Sequence, residues 1–305
     1  MMKKSKKVLS LLVAVICIFS LTCMNVSANL ENNNNSNVEA LSAPQPLYAG
    51  YHSKADEIAA NEKLAAYIKM NEIALALQNP TSKESSDSLK SELKQLLEKY
   101  GNGITADQFL ANVSAKTIKT LTMTAEAQIE TYYCGPAAGA MVLKGKGIST
   151  SQRILAGSNY MNTDNDGSTY LWRVPYALNK YKGTNGLSFN YSYIQANNGE
   201  SDVNWAIRMT NAAIGCLNTN YGTIYDTYQI GSLKLVGYTT LPSKGLWHYV
   251  AGYGYNNNDP NNRICYYIDP NPNGNGSYNH PNSYGKHTIE FRKMGDLTKP
   301  LGLIF

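Results

Sequence analysis

The 305-residue sequence predicts an α+β fold, and three observations predict it. Apolar residues recur at helical spacing through a charged stretch before residue 100. A wholly apolar helix follows a Cys-Gly-Pro turn near the middle. Alternating runs rich in Tyr, Ile and Val then dominate the last third. Helices first and strands afterwards is the order of an α+β domain rather than of alternating βαβ units.

The N-terminus sets the compartment. Four lysines (Lys3, Lys4, Lys6, Lys7) precede an apolar run from Val8 to about Leu21, and Val26-Ser27-Ala28 offers small residues at the positions a signal peptidase reads. This is the signal-peptide pattern, and the run is short for a membrane span. Residues 1–28 are therefore expected to be removed, with export of the rest and no membrane span left after removal. Net charge drops from +5 to +1 once those four lysines leave, so the basicity is a targeting signal and gives no reason to expect nucleic acid as a partner.

Residues 29–53, with Asn32–Asn35 and two prolines, read as a disordered leader. Residues 54–78 continue as a helix carrying Ile58, Leu64, Ile68, Ile73 and Leu75, stopped at Asn79-Pro80. A second helix over 85–100 places Leu89, Leu93, Leu96 and Leu97 on one face and ends at Gly101. A third begins at Thr105, with Gln108 completing a capping box. The segment 54–115 is either a propeptide able to inhibit the domain at 116–305 or an arm that binds cell wall or a partner.

Near 116 charge thins, and Tyr, Asn, Gly and Thr take over. The expected elements of 116–305 are a loose strand within 116–124, a buried helix at 137–143, helices at 168–180 and 202–217, and strands at 232–238, 247–253, 264–268, 288–291 and 301–305. Asn162-x-Asp164-x-Asp166-Gly167 looks like the start of a calcium loop, but Arg173 stands where a bidentate Glu belongs, so no metal is assigned and Ser168 or Thr169 is read as a helix cap. No cofactor is expected. With the signal gone, Cys134, Cys216 and Cys265 remain; the last two either pair as a disulfide or stay buried and unpaired.

The chemistry gathers around Cys134-Gly135-Pro136. A cysteine at a helix start lies among free amides and the positive end of the dipole, which favour a thiolate, the nucleophile that acyl transfer needs. Gln128, six residues upstream, could put its side-chain amide beside the sulfur and share an oxyanion hole with the Cys134 N–H. Of the four histidines, His52 lies in the leader, His280 in an Asn/Pro/Gly loop and His287 at the start of a late strand. His248, in the alternating run 247–253, is the base held on a rigid element. Asp269 ends the run 264–268. If that run pairs with the His248 strand, the carboxylate can reach the imidazole and fix its tautomer.

Gln128-x5-Cys134-Gly135-Pro136-Ala137, then His248-Tyr249-Val250, then Tyr267-Ile268-Asp269-Pro270, resembles the peptidase C39-like group of papain-like cysteine peptidases over about 117–290. The resemblance implies a papain-like fold, a peptide or protein substrate, Cys134 as nucleophile, His248 as base, Asp269 as orienting acid and Gln128 as oxyanion donor. Better-known members of that group are joined to exporters and cut leader peptides after double glycine. The signal pattern and the lack of a transporter segment mean that this substrate does not carry over. The expectation is a secreted cysteine hydrolase acting on peptide bonds, with a cell-wall peptide amidase or a non-catalytic binding module on the same fold as alternatives.

Overall fold

The computed structural model describes residues 51–78, 83–113, 117–272 and 282–305, which all fall within one compact unit. The expectations for residues 1–50 (the signal peptide and most of the leader) and for the loop around His280 lie outside the described residues. The described part of the leader, 51–53, lies against the body: the His52 N–H donates to the Tyr193 hydroxyl at 2.6 Å, and the His52 ring stacks on Trp172 with centroids 4.0 Å apart.

The chain opens with α1 (Lys54–Gln78), α2 (Lys83–Tyr100) and α3 (Ala106–Asn112). The capping box read from Thr105 and Gln108 is formed, each side chain bonding the other's backbone N–H. The α1 face made of Ala60, Leu64, Tyr67, Met70, Ile73 and Ala74 is buried, against a later helix and the short strand that carries Tyr193. Lys63 is buried too. Its ammonium donates to the Asn190 carbonyl at 2.5 Å and the Phe305 oxygen at 2.8 Å, and burial pulls it down to about 8.

From β1 (Ile118–Thr120) the chain enters α4 (Cys134–Lys144), the short helices α5 (Gln152–Ala156), α6 (Thr163–Asp166) and α7 (Arg173–Asn179), then β2 (Tyr193–Ile194) and α8 (Asp202–Asn218). The strands β3 (Thr223–Gln229), β4 (Leu246–Asn256), β5 (Ile264–Asp269) and β6 (Gly285–Glu290) come next, then α9 (Phe291–Thr298) and β7 (Gly302–Ile304). One antiparallel sheet runs β2-β7-β3-β4-β5-β6. The long β4 pairs β3 along its first part and β1 along its last residues.

Several elements differ from the sequence expectation. The helix expected at 137–143 starts at Cys134, so Gly135 and Pro136 lie in its first turn rather than ahead of it. The helix expected over 168–180 is confined to 173–179. Neither Ser168 nor Thr169 caps it, and Pro175 sits in its first turn, where a missing N–H costs little. The expected strand 232–238 is a loop, held by an isolated bridge between Ile230 and Leu233. The sheet takes 223–229 instead. All seven residues of that strand are buried, so it shows no alternation to read.

Two close approaches fix the helices on one another. A Cβ at Gly215 of α8 would lie 2.5 Å from Tyr67 of α1. Trp205 of α8 donates its indole N–H to the Gly295 carbonyl of α9 at 3.0 Å. No described helix is long and apolar enough to cross a membrane.

Candidate active site

Cys134 is the first residue of α4, and every residue from Gly135 to Leu143 is buried. The apolar helix drives itself into the core and leaves its first residue at the edge, partly exposed. Tyr133 at the N-cap makes no side-chain cap, and Pro136 has no N–H, so the Cys134 and Gly135 amides are the donors of the first turn. That arrangement suits an anion beside the sulfur.

β4 and β5 bring His248 and Asp269 together. Ala251 of β4 pairs with Ile268 of β5. His248 lies three positions before Ala251 and Asp269 one position after Ile268. Both offsets are odd, so both side chains leave the sheet on the same face. The His248 Nε2 meets Asp269 Oδ1 at 2.7 Å, with the histidine 4% exposed and the aspartate 0%. Since an ionised carboxylate only accepts, the network assigns the Nε2 proton to the histidine and leaves Nδ1 for the sulfur. Cys134 lies close enough to His248 for its sulfur to favour the imidazolium.

Asp269 is held by more than the histidine. Its Oδ1 accepts the Asn271 backbone N–H at 2.8 Å, and its Oδ2 accepts the Tyr238 hydroxyl at 3.1 Å. Asn271 Nδ2 donates in turn to the Tyr238 oxygen at 3.3 Å. Sequence reasoning missed both supports. Tyr238 lies in the segment expected to be a strand, and no local spacing ties it to Asp269, 31 residues on. Asn271 was legible only as a turn residue after Asp-Pro.

Burial on its own would lower His248. The Asp269 charge and hydrogen bond, followed by Cys134, outweigh burial and raise it to about 10. The other cysteines are inert by comparison. Cys216 and Cys265 are free and buried, and burial pushes each thiol up to about 12. Of the two sequence alternatives for them, the unpaired one is realised.

Gln128 lies in the loop before α4, 7% exposed, with its backbone N–H on the Pro270 carbonyl at 2.8 Å. It therefore ties the nucleophile loop to the end of the Asp269 strand. Its Nε2 donates to the Glu130 carbonyl at 3.0 Å and the Thr131 carbonyl at 2.9 Å, and its Oε1 is buried without a partner. To serve an oxyanion, an Nε2 proton must leave one of these carbonyls.

The remaining sequence candidates go elsewhere. His52 stacks on Trp172, and His287 Nε2 meets the Ser283 carbonyl at 2.7 Å. In the calcium-like loop, Asp164 accepts from Tyr133 and Asp166 pairs with Arg173 at 3.1 Å.

The sequence profile of the Peptidase_C39 like family matches residues 120–298, a span holding Cys134, His248, Asp269 and Gln128. No curated protein matches the chain. Among solved structures, the peptidase domain of Streptococcus ComA, a bi-functional ABC transporter involved in a quorum-sensing pathway, is 19% identical, with a TM-score of 0.35, over 60% of this chain and 96% of that chain.

Proposed function

The chain belongs to the Peptidase_C39 like family, and from that premise we propose that it is a secreted cysteine peptidase of papain-like fold working through Cys134, His248 and Asp269. The observation that carries this reading is a partly exposed cysteine at the first residue of a buried helix, close to a histidine that a buried aspartate grips at 2.7 Å.

The chemistry comes from the geometry. The Cys134 sulfur, as thiolate beside the His248 imidazolium, attacks the scissile carbonyl carbon. The carbonyl oxygen becomes an oxyanion, for which the Cys134 N–H and, after swinging from the loop carbonyls, the Gln128 Nε2 are the proposed donors. His248 Nδ1 gives its proton to the leaving amine, and the C–N bond breaks. The imidazole then takes a proton from water, which attacks the thioester and releases acid product and enzyme. Asp269 keeps the ring oriented.

Iodoacetamide at pH 6 tests the nucleophile directly. Cys134 is expected to alkylate far faster than Cys216 or Cys265, and His248→Ala to abolish the fast phase. Equal, slow labelling of all three would sink the enzyme reading and favour a binding module. Digestion of a peptide library by the wild type, but not by Cys134→Ala, analysed by mass spectrometry, would name the bonds cut. Cleavage confined to cell-wall peptides would turn the reading to an amidase.

Secretion rests on the charged start, apolar run and Val26-Ser27-Ala28 of the sequence. N-terminal sequencing of protein recovered from culture medium should begin at Asn29. The burial of Lys63, Tyr67 and Met70 supports reading 54–113 as a permanent part of the fold rather than a segment shed on activation.

A further inference from the structure

The calcium-like loop has a use that its sequence does not announce. Residues 162–169 touch the nucleophile's helix from both sides. Ahead of Cys134, the Tyr133 hydroxyl donates to Asp164. Tyr133 is 2% exposed, and its ring meets Tyr132 edge-on. Behind Cys134, Thr169 fills the space where a side chain at Gly135 would be: a Cβ there would lie 2.5 Å from Thr169 Oγ1 and 2.7 Å from Thr169 Cβ. The loop is itself tied together. Thr163 and Thr169 share a hydroxyl bond at 2.8 Å, Asn162 Nδ2 donates to Asp166 at 3.0 Å, and Arg173 pairs with Asp166.

The other end of the loop reaches the base. Tyr249, next to His248 on β4, donates its hydroxyl to the Thr169 carbonyl at 3.1 Å. Tyr249 is 4% exposed and stands opposite Asp226, its register partner on β3. So the path Tyr249–Thr169–Gly135 spans from β4 to α4 alongside the path His248–Cys134. Each residue of the first path neighbours its counterpart in the second, apart from the bridging threonine.

We propose that loop 162–169 is a brace that sets the separation between Cys134 and His248, with Asp164 and Tyr249 as its positioning residues. Neither touches the reacting atoms. Each acts by holding one end of the loop, so that the sulfur stays within reach of Nδ1 while α4 and β4 fluctuate. The physical demand is real: a misplacement of about 1 Å in a catalytic pair can cost about 10²-fold in rate. This inference rests on the cysteine peptidase reading.

The test uses the full chain and iodoacetamide, with labelling of Cys134 tracked by mass spectrometry from pH 5 to 10 and a thermal midpoint for each protein. Tyr249→Phe removes one hydroxyl and keeps the ring. Asp164→Ala removes the acceptor at an exposed position, which leaves the fold intact should Tyr249→Phe unfold. Both are expected to slow Cys134 labelling at pH 6 about tenfold and to move the rise of the profile to higher pH, because a loosened pair holds the thiolate less well. Asp164→Asn, which restores an acceptor oxygen, should recover the wild-type rate and profile. Labelling by Tyr249→Phe and Asp164→Ala at the wild-type rate and with the wild-type profile, whatever their midpoints, overturns the brace and leaves the peptidase reading standing. Slow labelling of Cys134 in the wild type itself overturns the peptidase reading, and the brace with it.

Discussion

His248 sits under opposed influences, and the balance between them governs the pH behaviour of the site. Burial favours the neutral ring, yet the Asp269 carboxylate and the Cys134 sulfur favour imidazolium and win, holding the group near 10. The leaving amine needs that proton, so the alkaline limb of kcat/KM against pH is expected near pH 10 rather than near the ordinary histidine value of about 6.5. Asp269→Asn keeps an acceptor but removes the charge. The limb should then move toward neutrality, with kcat/KM falling by about 10²- to 10⁴-fold. An unmoved limb in that variant would mean another group sets it. Gln128 has a separate test. If its Nε2 swings onto the oxyanion, Gln128→Ala should cost kcat about 10²- to 10³-fold with little change in KM. A loss of only a fewfold would leave its role as the tie among Glu130, Thr131 and Pro270.

Elements act here by bringing residues together at set spacing. β4 and β5 pair antiparallel, and their register alone puts His248 and Asp269 on one face. α4 buries nine consecutive residues, which leaves its first residue as the only one at the surface edge before Lys144. The contact between α1 and α8 is just as tight. Tyr67 packs on the bare backbone of Gly215 at a distance that leaves no room for a methyl group. Gly215→Ala is therefore expected to destabilise the protein by about 1–3 kcal/mol through overpacking, in spite of alanine's better helix propensity. A urea midpoint equal to or above that of the wild type would show that α1 yields at this contact. The same variant should leave the Cys134 labelling rate unchanged, since the atoms Gly215 packs against belong to Tyr67 of α1.

For the whole molecule, the buried Asp226 makes folding sensitive to pH. Burial raises its carboxyl to about 8, against smaller lowering effects from Tyr249 and the His248 charge. Its folded value lies above the unfolded value of about 3.9, so its contribution to stability is fully present below that value and is lost as pH rises through 8. Denaturant midpoints should fall between about pH 4 and 8, and Asp226→Asn should flatten that fall. A slope that survives the substitution would assign it to other groups. His248, also raised, adds a loss that begins above its unfolded value of about 6.5 and is complete only near 10. The N-terminal helices belong to this scale as well. The buried face of α1, with Lys63 bonded to Asn190 and Phe305, closes over α8 and β2. Removal of residues 1–113 should abolish cooperative unfolding. A truncated chain that melts cooperatively and gains activity would restore the propeptide reading.

Much of the chemistry was legible in the residues themselves. A cysteine before Gly-Pro and an apolar run reads as the start of a buried helix, and histidine and aspartate in or after alternating runs read as strand residues. The capping box at Thr105 was equally readable, because its two bonds join residues three apart. What the sequence could not determine lies in contacts between segments far apart in the chain. The strand 223–229 is buried on both faces and so carries no period. Tyr238 reaches Asp269 from a loop that imitates a strand. Gly135 is glycine because Thr169 needs its space, not because the chain must turn there. The calcium-like spacing at 162–167 brings Asp164 to a tyrosine and Asp166 to an arginine, residues that local spacing does not name. Local pattern picked out Cys134, His248 and Asp269 as the candidate residues. Tertiary packing decided what holds them at working distance, because that is a property of surfaces that meet only when the chain is folded.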